Sequence, residues 1–426
     1  MQSFTQLLAR PQPDQSPPKS RSSRLVWAVS LGHMANDICM SMGPVTITFI
    51  ATSVLSISAA QIGFAISLRD LIGALSQPFF GWLSDRTGGR FQAPGGVAWV
   101  AFFMGLAIFF GLQGQFWLMI VPYALSALGS GAFHPVGAMV ASEAKKTRAA
   151  GNTALFFLGG QTGLALGPFF AGLTLDHVRR ASDGLPKPAD AAPLLGLALI
   201  IVPAVLFMFF TLPNRASHDS HKAQNTGETV SLGKALSRFS GWTLLLIAFF
   251  IVLRSIAHLG PASFLPLLFA QKGWLPSEYG AITSAFWIAS ATAGVFFGWL
   301  ADRWDRRWVI ALSLILGAPL IALLPTADGA LAVVIAVATG AFAGGTVPVV
   351  VVLIQSLMPG NKGLASGLIL GSIFATGAVG SQLLGVLIEK TSFTTGYQVV
   401  GVIAVLGCVA ALMLPASLGG KHKQSQ

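Results

Sequence analysis

FFGWLSDR at Phe79–Arg86 and FFGWLADR at Phe296–Arg303 are one octet written twice, 217 positions apart, with a single Ser-to-Ala change. Working outward at the same spacing, Pro44 falls on Pro261, Gly63 on Gly280 and Gly81 on Gly298, without a gap. Farther along, the spacing becomes 213, so that Gly131 and Pro135 match Gly344 and Pro348, and Gly167 and Gly172 match Gly380 and Gly385. A four-residue difference in one loop accounts for the change. Self-similarity over half the chain marks two copies of one structural unit.

The composition says what kind of unit. The 426 residues are 54% hydrophobic and only 10% charged, with a mean hydropathy of +0.71, whereas soluble domains carry about a quarter charged residues. A helix needs roughly 20 apolar residues to cross the hydrocarbon core. Twelve such runs are expected: 25–55, 59–83, 93–113, 115–141, 149–175, 193–213, 242–270, 278–301, 308–326, 329–355, 363–389 and 394–416. The expected class is an all-α integral membrane protein, with twelve transmembrane helices in two six-helix bundles. The organisation reads as a disordered tail (1–24), a first bundle (25–213), a central loop (214–240), a second bundle (241–418) and a short tail (419–426).

The net charge of +11 and isoelectric point near 10.1 invite a nucleic-acid reading, which the distribution of charge removes. Lys and Arg gather in alternate loops, at Arg86 and Arg90, Lys145 to Arg148, Arg215 to Arg238, Arg303 to Arg307 and Lys362, and in both tails. The opposite loops hold only Arg179, Arg180, Lys187, Lys272 and Lys390. Positive loops stay inside, so both termini are expected in the cytoplasm, with the chain in the cell (inner) membrane. The lipid bilayer then explains the basic balance with no nucleic acid. The N-terminal stretch lacks the pattern of a cleaved signal, because the apolar run after it is long enough to span. Cys39 and Cys408 read as small packing residues inside spans.

With an even number of spans per half, both copies insert the same way, related by an axis along the membrane normal, and leave a cavity between them that rocking exposes to either side. GWLSDRTGGR and GWLADRWDRR resemble the loop signature of the major facilitator superfamily, G-x-L-x-D-R-x-x-x-R, which falls here on Gly81, Asp85, Arg86 and Arg90 and on Gly298, Asp302, Arg303 and Arg307. The resemblance implies gating loops after the second and eighth spans, with Asp85 near the start of the eleventh. GLALGPFFAG is similar to that family's antiporter motif, on Gly163, Gly167, Pro168 and Gly172. It reads either as a sliding seam or as ordinary small-residue packing. SLGHMANDICMSMGP and the triplet Phe133-His134-Pro135 resemble the fosmidomycin-resistance branch of drug exporters, from which the adjacent charges Arg69 and Asp70 depart.

Charge inside the bilayer is expensive, about 2.5–3.5 kcal/mol per residue on insertion scales, and so marks function. His33 and Asp37 lie four apart on one helical face, with Asn36 beside them, and Arg254 and His258 repeat that spacing in the seventh span. Asp37 falls on Arg254 at the shift of 217, so opposite charges occupy equivalent depths and are expected to line the cavity and to approach each other in at least one state. Asp37 is the first candidate for the coupling proton, against the alternative of a permanent ion pair. Asp70 is the second, because Arg69 points about 100° away around the helix. His134 reads as a local packing histidine rather than a proton relay.

No phosphate-cradling loop, zinc-type Cys/His cluster or nucleophile–base pair stands in the sequence, so no cofactor, metal or enzymatic activity is expected. A gradient is the energy source. The expected function is proton-coupled efflux of small, drug-like or metabolite molecules by alternating access, in a protein working as a monomer. The alternatives are an importer or uniporter of a metabolite and, from another class, a membrane receptor or scaffold.

Overall fold

A computed structural model describes residues 19–87, 89–145, 148–181, 192–213, 239–355 and 362–419. The expected central loop and C-terminal tail lie almost wholly outside these residues, as does the expected N-terminal tail as far as residue 18; residues 19–24, expected as disordered tail, already belong to the first helix. Every described element is helical, as a bilayer requires of a chain whose backbone groups must find partners internally. The first half comprises α1 (Lys19–Ile50, extended by a π-helical turn Ala51–Leu55), α2 (Ala59–Thr87), α3 (Gln92–Leu112), α4 (Phe116–Glu143), α5 (Ala149–Ala181), α6 (Ala192–Leu199) and α7 (Val202–Thr211). The second comprises α8 (Gly241–Gln271), α9 (Pro276–Ala301), α10 (Arg306–Leu323), α11 (Gly329–Thr339, continued by a π turn Gly340–Gly344), α12 (Val347–Gln355), α13 (Lys362–Lys390) and α14 (Phe393–Met413).

Among the described residues, ten helices are long and apolar enough to cross a membrane. The two expected spans outside these ten are the second and the sixth. The sixth breaks into α6 and α7 just before Pro203, and the tenth, one of the ten, carries a π turn and a short break before α12. The second span is present as a 29-residue helix with Arg69 and Asp70 in its middle. Local signals set several helix starts. Ser240 and Ser392 accept from the backbone N–H groups of Thr243 and Thr395, and Ser58 and Gln61 form a reciprocal capping box at the start of α2. In the repeated loop, Gly89 takes a left-handed φ of 71° against Val136, which no larger residue would tolerate.

Within the halves, α1 lies chiefly on α5, α3 on α4 and α10 on α14; between them the main seams are α2 against α13 and α5 against α9. The buried apolar residues form two bodies. One runs from Ile38–Ala51 of α1 through the second half and joins the bundles. The other, around Leu25–Val29, Val97, Phe133 and Phe156, stays within the first half. The halves are therefore welded at the end remote from the termini and separate cores occupy the other end.

The duplicated octet takes the same form twice. Phe79 stacks on Trp82 at 6.0 Å and Arg86 lies over Trp82 at 4.1 Å; Phe296, Trp299 and Arg303 repeat both distances. These rings are about half exposed and end in a cation, the arrangement of an interfacial anchor.

Candidate functional site

α1 carries His33, Asn36 and Asp37 into the interior of the first half, and α4 brings His134 to them. His33 Nε2 lies 3.3 Å from Asp37 Oδ2 and 3.1 Å from His134 Nε2, while His134 Nε2 is 3.9 Å from Asp37 Oδ1. The remaining ring nitrogens are committed to backbone carbonyls. His33 Nδ1 is 2.8 Å from the Phe156 oxygen, and His134 Nδ1 is 2.8 Å from that of Ser130. A carbonyl oxygen only accepts, so both Nδ1 atoms carry hydrogen. Two neutral rings would then aim Nε2 lone pairs at each other and at a carboxylate. One cation shared between these three donor atoms, which lie within 4.8 Å of one another, removes that conflict.

The surroundings hold this geometry. Asn36 Nδ2 donates to Asp37 Oδ1 at 2.8 Å and to Ser130 Oγ at 3.1 Å. Phe156 stacks on the His33 ring at 4.1 Å between centroids. A Cβ on Gly160 would stand 2.5 Å from His33 Nε2 and 2.9 Å from Asp37 Oδ2, so only glycine leaves the shared position open from α5. Asp37 and His33 are buried, whereas the His134 side chain keeps 29% of its surface and is the exposed face of the cluster. His134 thus meets two side chains of α1 as well as its own helix. The contact spans 101 residues of sequence, beyond any periodicity argument.

The other intramembrane charges are arranged differently. Arg69 donates to the Met40 carbonyl at 2.7 Å and lies over the Tyr123 ring at 5.0 Å. It also curls back to 4.0 Å from Asp70, closer than their separation around the helix had implied. Arg254 is fully buried and donates only to the carbonyls of Ala343 and Gly344, at 3.3 and 3.5 Å, in the π turn after α11. Among the described residues its Nε and Nη1, and both nitrogens of His258, have no hydrogen-bond partner. His258 sits beside Phe286 and Trp287. Among the described residues no ion pair joins Asp37 to Arg254; each is turned into its own half.

The gating-loop residues are placed in part. The side chain of Asp85 and those at the start of α13 lie outside the described set, so their expected contact does too. Asp302 is exposed. Arg307 binds Asp305 at 2.7 Å and the Leu414 carbonyl at 2.7 Å, and Arg90 lies against Phe91 and Phe209. Among the described residues, Gly81 approaches Pro135 of its own half, and nothing lies within contact of Gly298. The antiporter-like motif in α5 is a two-sided seam. Gly163 and Gly167 admit the α1 backbone at Met34, Asp37 and Ile38, and Gly172 admits Pro276 of α9 in the other half. Phe156, Ser130 and Gly160 were not among the expected site residues, and neither were two acids, Asp176 and Glu389, that reach across the seam.

The family model of the Major Facilitator Superfamily matches residues 29–275 and 255–426. The chain is 27% identical over 407 residues to the fosmidomycin resistance protein of Escherichia coli (strain K12), covering 95% of each. It is 28% identical over 390 residues to the uncharacterized MFS-type transporter YfnC of Bacillus subtilis (strain 168), covering 90% of this chain and 91% of that one. The inward-open structure of the xylose transporter XylE from E. coli superposes with a TM-score of 0.71 at 14% identity, over 92% of this chain and 96% of that one. Two matched helical halves, a model match over nearly the whole length and full-length relatives agree: the chain belongs to the Major Facilitator Superfamily and is a multi-pass membrane transporter, not an enzyme.

Proposed function

We propose that this transporter exports small, drug-like or metabolite molecules in exchange for protons, by alternating access, as a monomer with both termini in the cytoplasm. The observation that carries the reading is the His33–Asp37–His134 cluster. With both Nδ1 atoms donated to carbonyls, the pair of rings needs one further proton between its Nε2 atoms, and the Asp37 carboxylate balances that charge. Loaded, the cluster is neutral overall, the condition under which such groups tolerate a membrane interior. Unloaded, it holds an unbalanced anion in the core. Passing from one side of the membrane to the other therefore favours the loaded cluster, unless substrate supplies the missing charge or hydrogen bonds. His134, the half-open member, is the group through which a proton enters and leaves. Asp37 thus acts as the counter-charge of a shared proton, with Asp70, 4.0 Å from its own arginine, as second candidate. The full-length likeness to a fosmidomycin resistance protein supports the direction of transport.

The test is flux in proteoliposomes under an imposed pH gradient. Gradient-driven accumulation is expected in the native protein and lost in Asp37→Asn and His134→Gln, while exchange of labelled for unlabelled substrate at equal pH persists. Accumulation that ignores the gradient in the native protein would make it a uniporter. Tightly bound zinc in the purified protein would also count against the reading, by assigning the three donors to a metal.

A further inference from the structure

The seam between the halves repeats itself atom for atom at one end. A Cβ on Gly385 would stand 2.6 Å from the Ala59 carbonyl oxygen, and one on Gly172 would strike that of Pro276. A Cβ on Gly63 would stand 3.0 Å from the Ser381 oxygen, and one on Gly280 would strike that of Pro168. Gly385 and Gly172, Ala59 and Pro276, Gly63 and Gly280, and Ser381 and Pro168 are the pairs related by the two sequence spacings. Helix α13 thus meets α2 as α5 meets α9.

The same relation governs two carboxylates one turn beyond. Glu389, at the end of α13, accepts from the Ala60 backbone N–H at 3.0 Å. Asp176, at the corresponding place on α5, accepts from the Ser277 hydroxyl. Asp176 and Glu389 are equivalent at the spacing of 213, and Ala60 and Ser277 at that of 217. Both are the second residue of their helix. Each acid therefore sits against the first turn of a helix in the opposite half, where the helix dipole favours a carboxylate; Glu389 takes a backbone N–H there and Asp176 a side-chain hydroxyl. Asp176 is buried and also bound by Arg180 at 3.3 Å, while Glu389 is exposed on the rim of a cleft of about 690 Å³ lined by Ser58, Gln271 and Lys272. The two contacts differ in donor but join equivalent positions of the two halves.

We propose that Asp176 and Glu389 are the paired closing residues of the gate at this end. They are positioning residues: each holds a helix N-terminus of the opposite half, and both contacts must break before the halves part there. Among the described residues, the repeated glycines at the other end, Gly81 and Gly298, meet nothing from the opposite half. The inference rests on the chain being a transporter and is independent of proton coupling.

The experiment reads the seam directly. In a Cys39→Ser/Cys408→Ser background, Ser381→Cys places a small thiol at the seam, and its labelling by a membrane-impermeant maleimide is followed in right-side-out vesicles. Slow labelling is expected in the parent. Glu389→Gln or Asp176→Asn should speed it about tenfold, the worth of one hydrogen bond to a charged group, and the double variant more than either. Ser277→Ala, which leaves Asp176 in place, should act like Asp176→Asn. Arg180→Gln, which removes only the same-helix pair, should leave labelling at the parent rate, and Glu389→Asp should restore most of the protection. Parent-rate labelling in the double variant would overturn the proposal. So would an Arg180→Gln effect as large as that of Asp176→Asn, which would make the acid's role local to α5.

Discussion

The two halves carry their buried charge in opposite ways. In the first, His33, Asp37 and His134 satisfy one another and the backbone, and the shared position needs only one cation to balance it. In the second, Arg254 occupies the place of Asp37 in the repeat, yet two of its nitrogens and both of those of His258 find no hydrogen-bond partner among the described residues. Duplication supplied equal scaffolds, and divergence made one a closed polar circuit and the other a buried cation with spare donors. A circuit that is complete when loaded suits the binding of a small ion. Unpaired donors suit a group that arrives only in another state.

The sharpest test of that contrast is Asp37→Asn. Gradient-driven transport should fall on the order of 100-fold, the usual worth of a positioned proton-transfer group, and the pH dependence of flux should flatten. Gly160→Val should come next. Its methyl groups must displace His33 or Asp37, at a cost of about 1–3 kcal/mol in thermal unfolding of the purified protein, with coupling lost alongside. Arg254→Met should behave in the opposite sense. Replacing a buried, poorly partnered charge by an apolar side chain of similar length should leave stability unchanged or raise it by about 1–2 kcal/mol, while transport falls. A destabilised Arg254→Met would show that Arg254 is structurally satisfied and remove the contrast. The smallest effect is expected at the octets. Trp82→Leu and Trp299→Leu each lose a ring stacked under an arginine, about 0.5–1 kcal/mol, and equal losses would confirm that the two copies remain equivalent there.

What could be read from sequence follows contact range. The octet stack joins residues three and four apart, and His33 and Asp37 are four apart, so helical periodicity alone brings them together. Asp176 and Glu389 were within reach of the repeat, since the spacing that aligns Gly172 with Gly385 aligns the acids four residues later. The signal was missed because both sit at the polar edge of a span, where a carboxylate is unremarkable.

The sequence by itself determined the class of the molecule. Apolar runs of bilayer length can only be helices, and a repeat with an even number of spans can only give two bundles of like orientation. Tertiary structure decided the rest: that His134 joins His33 and Asp37, that Arg254 stays apart from them, and that two distant acids bind the first turns of helices in the opposite half. These contacts link residues about a hundred or more positions apart, and helix packing, which no local pattern encodes, sets which faces meet.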